Sequence, residues 1–192
     1  MSILEADSEK LLTAVRSLLA AKGIAAPDEI AARIRITDGG SHAQGARMVA
    51  KAWTDPAYRA RMLADGARAA EELDIPMRGL PPLGVLEDTA DVHNLVVCTL
   101  CSCYPRAVLG YPPFWFKSAA YRARAVRDPR GLLADWGTPL PDSVQVRVVD
   151  STADYRWMVL PMRPEGTEGW DEARLASLLR DGDMIGVTVP SA

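Results

Sequence analysis

The sequence predicts an α+β chain, a helical N-terminal arm followed by a layered α/β domain, and three observations carry that expectation. Up to about Leu73 the apolar residues recur only at helical spacing. The stretch DIPMRGLPPLG then gathers Pro76, Gly79, Pro81, Pro82 and Gly84, which rule out regular structure. Beyond Val85, apolar runs of strand length alternate with helical ones. The expected organisation is a helical arm over 1–75, a linker over 76–84 and an α/β domain over 85–192.

In SEKLLTAVRSLLAAKG, Leu11, Leu12, Val15, Leu18 and Leu19 share one helix face, Ser8 is placed to cap its start, and Gly23 to end it in the left-handed conformation. Pro27 opens a second helix, PDEIAARIR, where Asp28 and Glu29 complement the N-terminal dipole. TDGGSHAQGARMVAKAW breaks and restarts the helix. Asp55-Pro56 then opens PAYRARMLADGARAAEEL, expected as a single helix with Tyr58, Met62, Leu63, Ala69 and Leu73 among its apolar positions.

GVLED and NLVV read as brief strands, and the second runs directly into Cys98. AVLGYPPFWF is an apolar stretch interrupted by proline. KSAAYRARAVRDPRGLLADWG predicts a helix, a break near Pro129 and a helix closed by Gly137. SVQVRVVDS and YRWMVLPM are strands, RPEGTEG a turn-rich loop, WDEARLASLLRDG a helix and MIGVTV a closing strand.

With 192 residues, 48% hydrophobic and 24% charged, the chain can bury one core. Its 22 Lys and Arg against 25 Asp and Glu give a net charge of -3, so nothing draws it electrostatically to nucleic acid or an anionic membrane. MSILEADSEK lacks a basic region followed by an apolar one, and no run reaches the roughly 18 apolar residues of a membrane span. The expected location is the cytoplasm.

All three cysteines fall within six positions of VVCTLCSCYP. Four readings compete for Cys98, Cys101 and Cys103. Three buried hydrophobes would not require such clustering. A Cys-x-x-Cys redox pair leaves Cys103 over and lacks the usual strand-to-helix context. Structural zinc wants a fourth ligand, which only His93, His42 or a carboxylate could supply. The last reading is one transition metal wrapped by a single turn of backbone. If Cys101 and Cys103 both bind it, the amide nitrogens of Ser102 and Cys103 come within reach, and these bind only when deprotonated by a strongly polarising, usually trivalent ion. One octahedral position then stays open for a Lewis-acid reaction.

VCTLCSCYP closely resembles the metal-binding motif of the nitrile hydratase α subunit. GARMVAKAWTDPAYRARML, EDTADVHNLVV, LGYPPFWFKSAAYRARAVRDPRGLLADWG, VRVVDSTADYRWMVLPMRPEGTEGW and DMIGVTVP resemble that subunit in the same order, from about Gly45 to Pro190. The resemblance implies that Cys98 stays a thiolate, Cys101 becomes a sulfinate and Cys103 a sulfenate, with the amides of Ser102 and Cys103 completing the ligand set. Thr99 and Tyr104 suit cobalt(III) over iron. The implied reaction adds water to a nitrile to give an amide, with Cys103 as nucleophile and the Ser102 amide beside it. The implied partners are one or more β-type subunits, which supply two arginines to the oxidised cysteines, and an accessory protein that delivers cobalt.

Two departures bear on substrate. PMRGLPP lacks the Gln and Glu common before the first strand, and the Trp common three residues past the last cysteine is Arg106. A cationic Arg106 suits thiocyanate hydrolase, a relative with the same cysteine motif, or it is a solvated surface residue. A non-catalytic metal carrier or redox protein is a third alternative. Elsewhere, Tyr111, Phe114, Trp115 and Phe116 read as core and interface packing, Glu165 and Glu168 as turn residues, and His42 and His93 as structural. Arg122, Arg124, Arg127 and Arg130 read as a solvated face or a subunit contact.

Overall fold

The computed structural model describes residues 3–192. The chain divides into two compact units, Met1–Gly39 and Gly40–Ala192. The first holds α1 (Ile3–Ala21) and α2 (Pro27–Asp38). Ser8 lies inside α1 instead of capping it, because Leu4, Glu5 and Ala6 are helix formers and nothing breaks the helix before Ser8. Its end is as the sequence reads. Gly23 takes φ 63°, its N–H donates to Ala20 O, and Ile24 N donates to Leu19 O, closing the last carbonyls.

The second unit contains α3 (His42–Thr54), α4 (Pro56–Ala64), α5 (Gly66–Glu71), β1 (Leu83–Glu87), β2 (Val92–Val97), α6 (Arg106–Leu109), α7 (Phe114–Lys117), α8 (Ala119–Arg127), α9 (Pro129–Asp135), β3 (Gln145–Asp150), β4 (Arg156–Leu160) and α10 (Glu172–Ala176). It begins at Gly40, not after the proline-rich stretch as the sequence suggests, because α3 and α4 belong to the main core. Met48, Val49, Tyr58 and Met62 are all buried there with Leu95, Val96, Phe116 and Met158. The stretch over 76–84 is a short connection within this unit, tied down where Arg156 N donates to Pro82 O.

The helix expected from Pro56 is two. Asp65 breaks it in an extended conformation, caps α5 by accepting from Arg68 N, and is followed by Gly66, where a Cβ would lie 2.7 Å from Leu83 O. The break lets α5 lie against β1. Asp128 caps α9 in the same way, by accepting from Gly131 N.

β1 pairs in parallel with β4, and β2 in parallel with β3. The buried run of β2 explains the continuous apolar NLVV. MIGVTV does not form a strand. Gly186 turns at φ 83°, and Gly182 O accepts from Val187 N, so the segment folds back on itself. Its carbonyls still serve the sheets, Met184 O accepting from Val159 N and Ile185 O from Val96 N, which bridges the two pairs. The helix expected over WDEARLASLLRDG is limited to α10.

Parallel pairing brings the C-terminal ends of β2 and β3 to one end of the second unit, with Val97 opposite Asp150. Ser151 N donates to Val97 O, and a tight turn returns the chain into β4 at Arg156. The cysteine loop emerges at this end, where open parallel sheets usually host chemistry.

Candidate metal centre

Cys98 follows β2 directly and is buried, as is Cys103, whereas Cys101 is exposed. The sulfurs of Cys98 and Cys101 lie 3.6 Å apart, those of Cys101 and Cys103 3.3 Å apart, and Cys101 N donates to the Cys98 sulfur. All three sulfurs fall within 4.8 Å of one another and none is bonded to another. Thiolates sharing an ion at about 2.3 Å sit roughly 3.3–3.8 Å apart, so this spacing suits a common metal. The amides of Ser102 and Cys103 both favour the Cys101 thiolate.

The thiols couple electrostatically. Hydrogen bonding from Cys103, then from the Ser102 amide and Cys98, lowers the pKa of Cys101. Burial, and then the two neighbouring sulfurs, push the Cys103 thiol up to about 12, against the pull of the Arg156 charge. Cys101 therefore becomes a thiolate before Cys103 does.

Sequence reasoning missed the residues that hold the loop. Asp150 accepts from Thr99 N at 3.0 Å and from Thr99 Oγ1 at 2.5 Å. Arg122 Nη1 donates to Leu100 O at 2.8 Å and to Thr99 O at 3.3 Å. Arg122 is thus a clamp and not part of a solvated face, while Arg124 pairs with Asp128 and Asp135. The partners lie 51 and 23 residues from Thr99, so only the fold brings them together.

Tyr104 is buried edge-on against Phe116, with ring centroids 4.9 Å apart. Phe116 and Trp115 pack inward as anticipated, but Phe114 and Tyr111 are exposed. Arg106 opens α6 beside the loop, exposed, its guanidinium 5.4 Å from the Tyr111 ring centroid. Glu165 and Glu168 are exposed turn residues. Among the described residues neither histidine joins the sulfurs. His93 lies toward the other end of β2, bound to Asp88 and Gly186 O, and His42 faces Asp181. Among the described residues the sulfurs thus gather without a histidine.

Residues 6–188 match the family model described as nitrile hydratase, alpha chain. The chain is 48% identical over 180 residues to the low-molecular weight cobalt-containing nitrile hydratase subunit alpha of Rhodococcus rhodochrous, covering 93% of this chain and 86% of that one. It is 42% identical over 199 residues to the thiocyanate hydrolase subunit gamma of Thiobacillus thioparus, covering 96% and 80%. Among solved structures, a double mutant of the Fe-type nitrile hydratase from Comamonas testosteroni Ni1 aligns with a TM-score of 0.82 at 39% identity, over 97% of this chain and 92% of that one.

Proposed function

This chain belongs to the nitrile hydratase α-chain family, and on that premise we propose that it is the metal-bearing subunit of an enzyme that adds water to a nitrile, releasing an amide. The observation that carries the proposal is the loop itself: three sulfurs within 4.8 Å of one another, with Cys98–Cys101 3.6 Å and Cys101–Cys103 3.3 Å apart. Cys98, Cys101, Cys103 and the two amides would hold cobalt(III), which supplies a Lewis acid that polarises the nitrile carbon. A solved Fe-type relative has the same fold, so the fold does not choose the metal. Thr99, Tyr104 and the cobalt-containing relative favour cobalt.

In this reading Cys98 remains a thiolate, Cys101 carries two oxygens and Cys103 one. The exposure of Cys101 and the burial of Cys103 support that order, because oxidation follows access. The Cys103 sulfenate oxygen attacks the nitrile carbon or activates a water that does, and hydrolysis frees the amide. Asp150 and Arg122 keep the loop in position for that attack. The enzyme is multi-subunit. A β-type partner completes the site, an accessory protein delivers the metal, and a reducing cytoplasm suits three free thiols.

Arg106 favours a second reading, hydrolysis of thiocyanate, because an exposed guanidinium beside the loop would attract an anionic substrate. Elemental analysis and peptide mass spectrometry of the Val96–Arg106 region, on protein co-produced with its partners and cobalt, test the centre. Stoichiometric cobalt with oxygen on Cys101 and Cys103 is expected. Zinc or no metal with three plain thiols would instead indicate a carrier or redox protein. Rates on aliphatic nitriles and on thiocyanate then separate the two reactions, and Cys103→Ala is expected to abolish whichever one is found.

A further inference from the structure

We infer that Arg156 is a positioning residue of this centre, donating from Nη1 to the oxygen on Cys103, so that one cationic partner of the oxidised loop comes from this chain itself. The inference rests on the oxidised-cysteine reading above. Among the described residues, three buried side-chain atoms have no hydrogen-bond partner, namely Tyr104 Oη, Arg122 Nε and Arg156 Nη1. All three belong to the cysteine loop or to its immediate surroundings. Arg122 already has a task, since its Nη1 holds the Thr99 and Leu100 carbonyls. Arg156 has none, and it makes no ion pair with a described carboxylate.

Its backbone is fixed next to the loop. Arg156 N donates to Pro82 O, Trp157 N donates to Ser151 Oγ, and Ser151 N donates to Val97 O, one residue before Cys98. The Arg156 charge reaches Cys103. A buried guanidinium N–H left unbonded is costly, and thiols relieve it poorly because sulfur is a weak acceptor. An anionic sulfenate oxygen on Cys103 would accept a charge-assisted hydrogen bond from it. Arg156 therefore suits the oxidised loop better than the reduced one.

The test uses holoenzyme co-produced with its partners and cobalt, in wild-type, Arg156→Lys and Arg156→Gln forms. Each is read by cobalt per chain, by the visible sulfur-to-cobalt absorption, and by the mass of the Cys98–Cys103 peptide. Arg156→Gln is expected to keep cobalt and the two oxygens on Cys101. Its ratio of singly oxidised Cys103 to all other Cys103 forms should fall at least about tenfold, the scale of one charge-assisted hydrogen bond, with a shifted absorption band. Arg156→Lys, which retains charge and a donor, should restore part of that ratio. A cobalt-loaded Arg156→Gln protein with wild-type Cys103 oxidation and an unshifted band would overturn the assignment alone. If Arg156→Gln fails to fold, a well-folded, cobalt-loaded Arg156→Met, which keeps the length of the side chain but neither charge nor donor, with an unchanged Cys103 ratio and band would overturn it equally. Wild-type holoenzyme with an unoxidised Cys103 would overturn the reading on which the assignment rests, and the assignment with it.

Discussion

The carboxylate of Asp150 takes both hydrogen-bond donors that Thr99 can offer, and that pair ties the start of the cysteine turn to the end of β3. Replacing it, Asp150→Asn, leaves one good acceptor and turns the other oxygen into a donor facing the Thr99 amide or hydroxyl. Because the pair is exposed, the expected loss is about 1 kcal/mol, which is about fivefold in the ratio of closed to open loop. Cobalt per chain in the co-produced enzyme should fall accordingly, while the thermal midpoint stays close to wild type. Unchanged metal content would show that Arg122 and the sulfurs order the loop without Asp150. The contrast explains what the sequence reveals at this scale. Cys98, Cys101 and Cys103 are legible because local spacing by itself brings their sulfurs within reach of one ion. Asp150, Arg122 and Arg156 act through side chains that only strand pairing and a helix crossing deliver, so no local pattern announces them.

At the scale of elements, the strand signals NLVV, SVQVRVVDS and YRWMVLPM, the helix start at Asp55-Pro56 and the break near Pro129 all correspond to real elements, because each is enforced locally by burial or by a side-chain cap. MIGVTV carries the same strand composition and yet folds as a turn. A Cβ on Gly186 would lie 1.8 Å from Asn94 O, so the backbone must pass against β2 at a point where only glycine fits, and that constraint is tertiary. A buried ionic contact holds this turn in place. His93 Nδ1 faces Asp88 Oδ2 at 3.2 Å and its Nε2 faces Gly186 O at 2.7 Å, an arrangement that uses both ring nitrogens as donors and so favours the imidazolium. Burial opposes the charge, but the hydrogen bond and charge of Asp88, with the Gly186 carbonyl, outweigh it and raise the His93 pKa. A raised folded-state pKa contributes stability that is complete below the unfolded value near 6.5 and is lost as pH rises through the folded value. The thermal midpoint should therefore decline as pH rises above about 6.5, and His93→Gln should flatten that part of the profile. The protection of Val96, whose amide donates to Ile185 O in the same turn, taken relative to its intrinsic exchange rate at each pH, should fall over the same range in wild type only. A wild-type profile as flat as that of the variant would mean that the ring is neutral in the fold.

The whole molecule presents more apolar surface than a chain working alone would keep. In the first unit Leu11, Leu12, Val15 and Leu18 are 67%, 49%, 44% and 55% exposed along one face of α1, which is enough to argue that another surface covers them. In the second unit Leu100 and Phe114, beside the cysteine loop and its aromatic cluster, are 86% and 85% exposed. Among the described residues no helix is long and apolar enough to cross a membrane, so a lipid interior does not account for the α1 face by a spanning helix. A β-type partner would account for it, and a second copy of this chain would be the competing occupant. Leu11→Lys combined with Leu18→Lys separates these from a merely tolerated face. Lysine is a good helix former and the sites are exposed, so the helix content and melting of the isolated chain should change little, within about 0.5 kcal/mol. Two apolar anchors at the centre of an interface commonly cost 1–2 kcal/mol each when lost, so recovery of the tagged partner at limiting concentration should fall at least about tenfold. Partner recovery that holds while the variant alone changes from dimer to monomer would place this face between copies of the chain. Recovery and oligomeric state both unchanged would leave the loop-side surface around Leu100 and Phe114 as the one that binds the partner, with α1 solvated in the assembled enzyme.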